Sequence, residues 1–356
     1  MPVYDVHISD VMAFKSCRRR WDFSSSLRRN LTSLGIYAPF FTGRIIHAAL
    51  DNLYKYGVEP VTMVAELVVQ ETNDLRIKQP DVYKRYADLI TEQMWLCTDI
   101  LNHYWSWRQS YNGPYADRDF DFLTTEQAFN EPMRTPKGRI AKNLRLAGRF
   151  DGLVRYKKDD AVYLWEIKTT RSISERIKML ELEEQCDAYC IAAEEMLGER
   201  VHGVVYTLIR KKTPDEIPVL KSGMLSQNKA IDTTAELYIE CVRTHHGHVA
   251  TREFIKEHYG EIINHLLQNG KPFFQRVVVK RSIAHLANYR QQLYTVAREM
   301  TNPRIPIYHH GQYSCNYCVF REPCLAIQRG DVALAESILA TQFVQNTYHL
   351  IPTDEE

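Results

Sequence analysis

The sequence predicts an α/β protein with a mixed β-sheet core flanked by helices. Three observations carry this. The hydrophobic period changes from helical to alternating near residue 120. Three segments of strand pattern then follow one another at 120–129, 144–156 and 161–170. A helix next leads into a fourth strand-like run at 201–210, giving the order β-β-β-α-β with helices before and after it.

The elements take their places in order. Ser9 and Asp10 stand as caps before VMAFKSCRRRWDFSS, a short first helix. A second helix begins after Thr42-Gly43, runs through RIIHAALDNLYKYG and stops at Gly57, a residue type that readily takes the left-handed turn ending a helix. Residues 60–110 repeat Val64, Leu67, Val68, Leu75 and later Tyr83, Leu89, Met94 and Leu101 at helical spacing. Aromatic residues close that stretch at Tyr104, Trp105, Trp107 and Tyr111. The strands at 144–156 and 161–170 are joined by Lys157-Lys158-Asp159-Asp160, a hairpin turn. The next helix runs from about Ser174 to Leu197 and is ended by Gly198. Residues 227–268 and 282–300 read as helical, and the chain from 343 on as a frayed, acidic tail. No repeat or low-complexity linker interrupts this order, so one core with helical insertions is expected. Its parts are an N-terminal segment at 1–42, a core at 43–222 with an insertion at about 58–118, a helical region at 223–306, a cysteine-bearing segment at 307–342 and the tail at 343–356.

Composition narrows the function. Lys and Arg number 45 against 44 Asp and Glu, for a formal net charge of +1, so a nucleic-acid partner would be held by a local basic groove and not by the global field. Apolar residues at 45% and charged residues at 25% suit a globular chain with a core. No run approaches the roughly 18 apolar residues of a membrane helix, and the N-terminus lacks the basic-then-apolar order of a signal peptide. The expectation is a cytoplasmic protein, of a bacterial or phage-infected cell, with no membrane partner. Disulfides are rare in that compartment, so the eight cysteines call for another account.

The most informative segment is GRFDGLVRYKKDDAVYLWEIKTT. Asp151 lies within one strand, and Glu166, Ile167 and Lys168 lie on the next. Positions two apart on a strand face the same way, so Glu166 and Lys168 project together and Ile167 points to the other face. Pairing of the two strands brings Asp151 beside Glu166. Two carboxylates on one face make a hard oxygen site suited to Mg²⁺ or Mn²⁺. Such an ion polarises a phosphoryl oxygen and acidifies a bound water, and Lys168 would hold that water or stabilise charge developing on phosphate. The alternative for this short pattern is a cross-strand salt bridge on a half-exposed sheet. Three neighbours bear on the choice. His47 sits on the helix that carries Gly43, Leu50 and Tyr54, and Gln185 and Tyr189 share one face of the helix after the second strand. Glu126, on the preceding strand, is a further acidic candidate.

The order G-x-x-x-H, G-R-x-D, E-x-K-T and Q-x-x-x-Y, here Gly43–His47, Gly148–Asp151, Glu166–Thr169 and Gln185–Tyr189, resembles the RecB-type branch of the PD-(D/E)XK nucleases, whose fold is restriction-endonuclease-like. The resemblance implies that His47, Asp151, Glu166 and the carbonyl of Ile167 bind metal. It implies that Lys168 serves catalysis and that Gln185 and Tyr189 support it. Phe150 stands where that family carries a proline before its first aspartate.

The cysteines extend the likeness. Cys315, Cys318 and Cys324 lie in YSCNYCVFREPCLA, and Cys17 lies far upstream in FKSCRRRWDF. In spacing and flanks, including Pro323, this is similar to the AddB-like and CRISPR-associated nucleases, where one N-terminal and three C-terminal cysteines bind a [4Fe–4S] cluster. Such a cluster would clasp the two ends of the chain across a very long loop. Spacing alone leaves Zn²⁺ open as the occupant of a four-cysteine site. Cys97, Cys186, Cys190 and Cys241 lack metal-site spacing and are expected to pack as small apolar residues.

Basic residues complete the reading. Arg18, Arg19 and Arg20 with Arg28 and Arg29, then Lys137, Arg139, Lys142, Arg145 and Arg149 before Asp151, and then Arg210, Lys211 and Lys212 form three groups. Around an acidic metal centre these could follow the phosphates of a single strand; each is otherwise a solvated face. No Walker motif, G-x-S-x-G elbow or convincing Cys–His pair occurs. The expectation is a DNA nuclease, an exonuclease on single-stranded or end-containing DNA. It would act in recombination, repair, phage DNA metabolism or CRISPR spacer processing, with a helicase or a recombination or CRISPR protein as possible partner. The alternative is a non-catalytic DNA-binding or scaffolding protein that keeps the fold and the cluster.

Overall fold

A computed structural model describes residues 2–311 and 313–346. Six strands form the central sheet: β1 (Tyr4–His7), β3 (Phe120–Arg134), β4 (Ile140–Tyr156), β5 (Ala161–Thr170), β6 (Val201–Arg210) and β7 (Phe274–Lys280). β2 (Leu31–Ser33) and β8 (Phe343–Gln345) make a separate antiparallel pair. The sheet is mixed: β1 runs parallel to β4 and β5 parallel to β6, whereas the β3–β4, β4–β5 and β6–β7 pairs are antiparallel.

The position of the candidate site follows from the length of β4. One edge of β4 pairs with β3 along most of its length. The other is shared between β1, at Leu144 to Ala147, and β5, at Gly152 to Tyr156. Asp151 therefore stands where the pairing passes from one neighbour to the other. Alternation along β5 sends Val162 and Leu164 to one apolar layer and Tyr163, Trp165 and Ile167 to the other, as the period of two requires.

Helices cover both faces. The first layer is packed by α1 (Ile8–Ser16), α2 (Arg18–Ser24), α8 (Glu184–Leu197) and α11 (Ile283–Met300). The second is packed by α3 (Ala38–Tyr56), α4 (Val64–Lys78) and α6 (Ala87–Ser110), with α5 (Pro80–Arg85) between the last two. Trp165 is fully buried in that layer, and truncating a core aromatic of this kind costs about 3–5 kcal/mol. α7 (Ile173–Ile177) follows β5. α9 (Ala235–His246) and α10 (Arg252–Asn269) build a small apolar cluster of their own around Tyr238 and Tyr259. α12 (Arg321–Gln328) and α13 (Val332–Gln342) bring Phe320, Leu339 and Phe343 onto Phe23, joining the late part of the chain to α2.

Several local expectations change. The first helix breaks at Cys17, whose extended backbone ends α1 and caps α2. Ser9 and Asp10 lie inside α1, and the N-cap is His7. α3 begins at Ala38, five residues before Gly43, because Pro39 occupies its first turn, where a missing N–H costs nothing. The helix after β5 is interrupted between α7 and α8 by a 3₁₀ turn at Leu180–Leu182. β1, β2 and β7 are strands where the sequence predicts none, and Phe343–Gln345, expected to open a frayed tail, pair with Leu31–Ser33. The acidic end at 347–356 lies outside the described residues.

Candidate active site

β5 delivers Glu166 and Lys168 to the same face, as their spacing requires. The Lys168 ammonium lies 2.6 Å from Glu166 Oε1 and donates to Gln185 Oε1 at 2.8 Å. Gln185 Nε2 in turn donates to the Tyr189 hydroxyl at 3.0 Å. These two residues, four apart on α8, form a chain that fixes the lysine. Burial works against the charged form of Lys168, but the Glu166 carboxylate outweighs it and holds the ammonium well above the ordinary lysine range.

Asp151 Oδ2 accepts the backbone N–H of Ile167 at 2.7 Å and lies 3.5 Å from His47 Nδ1. Burial raises the Asp151 carboxyl, yet the His47 imidazole and the Ile167 N–H bring it below the ordinary carboxylate range. His47 is correspondingly raised, its own burial being overcome by Asp151. Glu166 is pushed up to about 7 by burial, with Lys168 opposing and Asp151 adding to the rise.

Two further acids reach the site. Asp51, one turn beyond His47 on α3, was missed in the sequence; its i+4 spacing from His47 was the available signal. Glu126 lies between Thr125 and Gln127, which pair with Gly152 and Phe150, so it faces the Asp151 position. Its φ of 48° is a left-handed conformation rare for a residue with a side chain, the kind of local strain that gathers at functional sites. Burial and the charges of Glu126 and Asp151 push Asp51 up to about 10. Asp51 is hydrogen-bonded to Glu126, and burial raises both acids.

The donors suit a hard cation in kind. Asp151, Glu166 and a main-chain carbonyl are all oxygen ligands, and Glu166 Oε2 is buried with no hydrogen-bond partner, an atom that calls for a cation or water. Among the described residues no three His, Cys, Asp or Glu side chains are gathered into a ready metal cage. Here the carboxylates are engaged instead by His47, by Lys168 and by the Ile167 N–H.

The four cysteines come into one neighbourhood. Burial raises the Cys318 thiol, and Cys17 and Cys315 add to the rise; Cys324 is raised by burial and by Cys17, Cys318 and Cys315. All four are partly buried free thiols, soft donors that fit iron or zinc. They too stop short of a closed cage. Cys97, Cys186 and Cys190 are buried and Cys241 is exposed.

The basic candidates are mostly committed. Arg149 pairs with Glu126 at 3.3 Å. Arg210 and Lys212 both bind Asp232, and Lys211 donates to the Pro39 carbonyl at 2.5 Å. Arg18 lies against the Phe14 and Tyr308 rings and 3.5 Å from Glu299. Arg19 holds the Ile307 carbonyl. Arg20 is exposed and near enough to Cys318 to counter its rise.

A mixed α/β sheet that sets an acid at a strand fork beside a Glu-x-Lys strand is the frame of a metal-dependent nuclease. The sequence profile of the PD-(D/E)XK nuclease superfamily matches residues 8–325, and the chain belongs to that superfamily. PD-(D/E)XK nucleases generally use Mg²⁺ or Mn²⁺. No curated protein matches the chain. Among the described residues no helix is long and apolar enough to cross a membrane.

Proposed function

We propose that the chain is a metal-dependent deoxyribonuclease of the RecB type, an exonuclease acting on single-stranded or end-containing DNA. The observation that carries this reading is the Lys168 ammonium held between Glu166 and Gln185, next to an Asp151 that remains ionised. A salt bridge serving stability alone would not need a glutamine and a tyrosine to orient its lysine.

Asp151, Glu166, the Ile167 carbonyl and His47 would hold Mg²⁺ or Mn²⁺, which supplies Lewis acidity and an acidified water when bound. Asp151 and Glu166 would contribute the negative charge that anchors the cation. Lys168, kept protonated, aims its ammonium at the reacting phosphate and stabilises the charge that develops there. Gln185, fixed by Tyr189, keeps Lys168 on that heading. His47 completes the site from α3 and holds Asp151 in its ionised form.

Cys17, Cys315, Cys318 and Cys324 would bind a [4Fe–4S] cluster, with Zn²⁺ as the other occupant their chemistry allows. The α2 contacts to Phe320 and Phe343 support a clasp between the two ends of the chain. Recombination, repair, phage DNA metabolism or CRISPR spacer processing are the settings such an enzyme suits, in the cytoplasm and with a helicase or a recombination or CRISPR protein beside it.

The test is the fate of end-labelled DNA. Anaerobically purified protein with Mn²⁺ is given single strands, blunt duplexes and closed circles labelled at either end. Release of short labelled products from one end of linear strands, with circles intact, is expected. Cleavage of circles would replace the exonuclease by an endonuclease. Tight binding with no cleavage under any metal would favour the scaffolding reading.

A further inference from the structure

The outer end of α3 carries two aromatic side chains open to solvent. Tyr37 is 56% exposed and Phe40 is 65% exposed, and their rings meet edge to face with centroids 5.0 Å apart. Isolated exposed aromatics are ordinary; the place of these two sets them apart. Phe40, Arg44, His47 and Asp51 fall on one stripe of the helix by their i, i+4, i+7 and i+11 spacing. Arg44 pairs with Glu71, His47 with Asp151 and Asp51 with Glu126, which leaves Phe40 as the outermost member of the stripe. Seven residues separate it from His47, a rise of about 10.5 Å, or roughly three steps of a stacked strand.

This helix end sits over the ends of β5 and β6 beside the site. A Cβ on Gly43 would meet Thr169 Oγ1 at 3.3 Å and Lys211 Nζ at 3.7 Å, so α3 and the sheet approach closely there. Lys211 Nζ holds the Pro39 carbonyl. Arg171 is exposed, and its charge reaches Lys211. The aromatic pair thus lies next to cationic side chains at the edge of the candidate site. Cations recruit phosphates of any nucleic acid, whereas exposed ring faces recruit bases that are not already stacked in a duplex.

We propose that Tyr37 and Phe40 form a stacking platform for the unpaired bases of a DNA strand entering the site, and so favour single strands over duplex. The proposal rests on the nuclease reading above.

Its test is a binding cycle read by fluorescence anisotropy in EDTA, where no cutting is needed. Wild-type protein and the Tyr37→Ala/Phe40→Ala variant are titrated with a short single-stranded oligonucleotide, with the same oligonucleotide bearing abasic terminal residues, and with a blunt duplex. The variant is expected to bind the base-bearing strand about tenfold more weakly, ~1.4 kcal/mol. On the abasic strand the two proteins should be equal, and blunt-duplex binding should not change. Phe40→Trp should bind as wild type, and Phe40→Leu, which keeps apolar bulk without a ring face, should lose part of the affinity. Equal affinity of variant and wild type for the base-bearing strand, or an equal loss on the abasic strand or the blunt duplex, overturns the platform. A wild type that completes this cycle but never cuts with Mn²⁺ sinks the nuclease reading and leaves the platform standing on its own result.

Discussion

The Asp151 carboxylate accepts the backbone N–H of Ile167 at 2.7 Å, so a side chain replaces the ladder where β4 and β5 part. The acid that would hold metal also terminates the strand pairing. Asp151→Ala removes both roles. It is expected to abolish cleavage and, by orphaning a buried N–H, to lower stability by about 1–3 kcal/mol. Asp151→Asn keeps an acceptor oxygen, so it should lose activity with little change in stability. Urea unfolding beside turnover separates the two.

Gln185 links Lys168 to Tyr189. If its task is to aim the ammonium, Gln185→Leu should lower kcat by up to about 10²-fold with KM little changed. Tyr189→Phe, which leaves Gln185 in place, should cost less. An unchanged kcat in Gln185→Leu would remove the positioning role.

α8 itself is tied down from behind. Asp187 and Arg281 form a buried pair at 2.6 Å, and His285 meets the same carboxylate at 2.9 Å. Removing one partner of a buried pair costs about 3–5 kcal/mol. Asp187→Ala should destabilise the fold by that amount in equilibrium unfolding, and the residual folded protein should cut more slowly as Gln185 loses its support.

The proposed cysteine clasp predicts metal content. Anaerobically purified protein should carry about four irons per chain, as a cluster held by four cysteines requires. Cys17→Ser should lose them and melt at lower temperature, whereas Cys186→Ala should keep them. Zinc in place of iron would assign the site to the other occupant, and neither metal would remove the clasp.

Asp232 offers a pH signature away from the site. Hydrogen bonds from Arg210, and then from Lys212, hold its carboxyl down at about 2. The folded value lies below the unfolded one, so its contribution is complete above about pH 4 and is lost as pH falls toward about 2. The pair is open to solvent on the Lys212 side, and screening holds that contribution to about 1 kcal/mol or less. Unfolding of wild type and Asp232→Asn should therefore differ at neutral pH and converge in acid.

Much of the candidate site's geometry was legible in the sequence because strand periodicity is rigid. Glu166 and Lys168 could only share a face, and four-residue spacing put Gln185 and Tyr189 together. Asp51 and the left-handed Glu126 were less visible, since a third acid on a helix and a strained strand residue gain meaning only once β3, β4 and α3 meet. β1 was too short to announce itself. β7 carries the run Val277-Val278-Val279, a strand signal obscured by the helical stretches around it. The basic groups were the least informative: Arg149, Arg210 and Lys212 could not be known to have acidic partners before the chain was folded.

If Asp151 and Lys168 serve one metal-dependent hydrolytic site, cutting needs both residues and a divalent metal. That requirement is tested most directly by cleavage of end-labelled DNA with Mn²⁺ or EDTA by wild type, Asp151→Ala and Lys168→Ala, each first shown to be folded. Wild type should cut and stop cutting in EDTA, with losses of at least about 10²–10³-fold in Lys168→Ala and a complete loss in Asp151→Ala. Cutting that persists in both folded variants, or a wild type inert with every divalent metal, would contradict it.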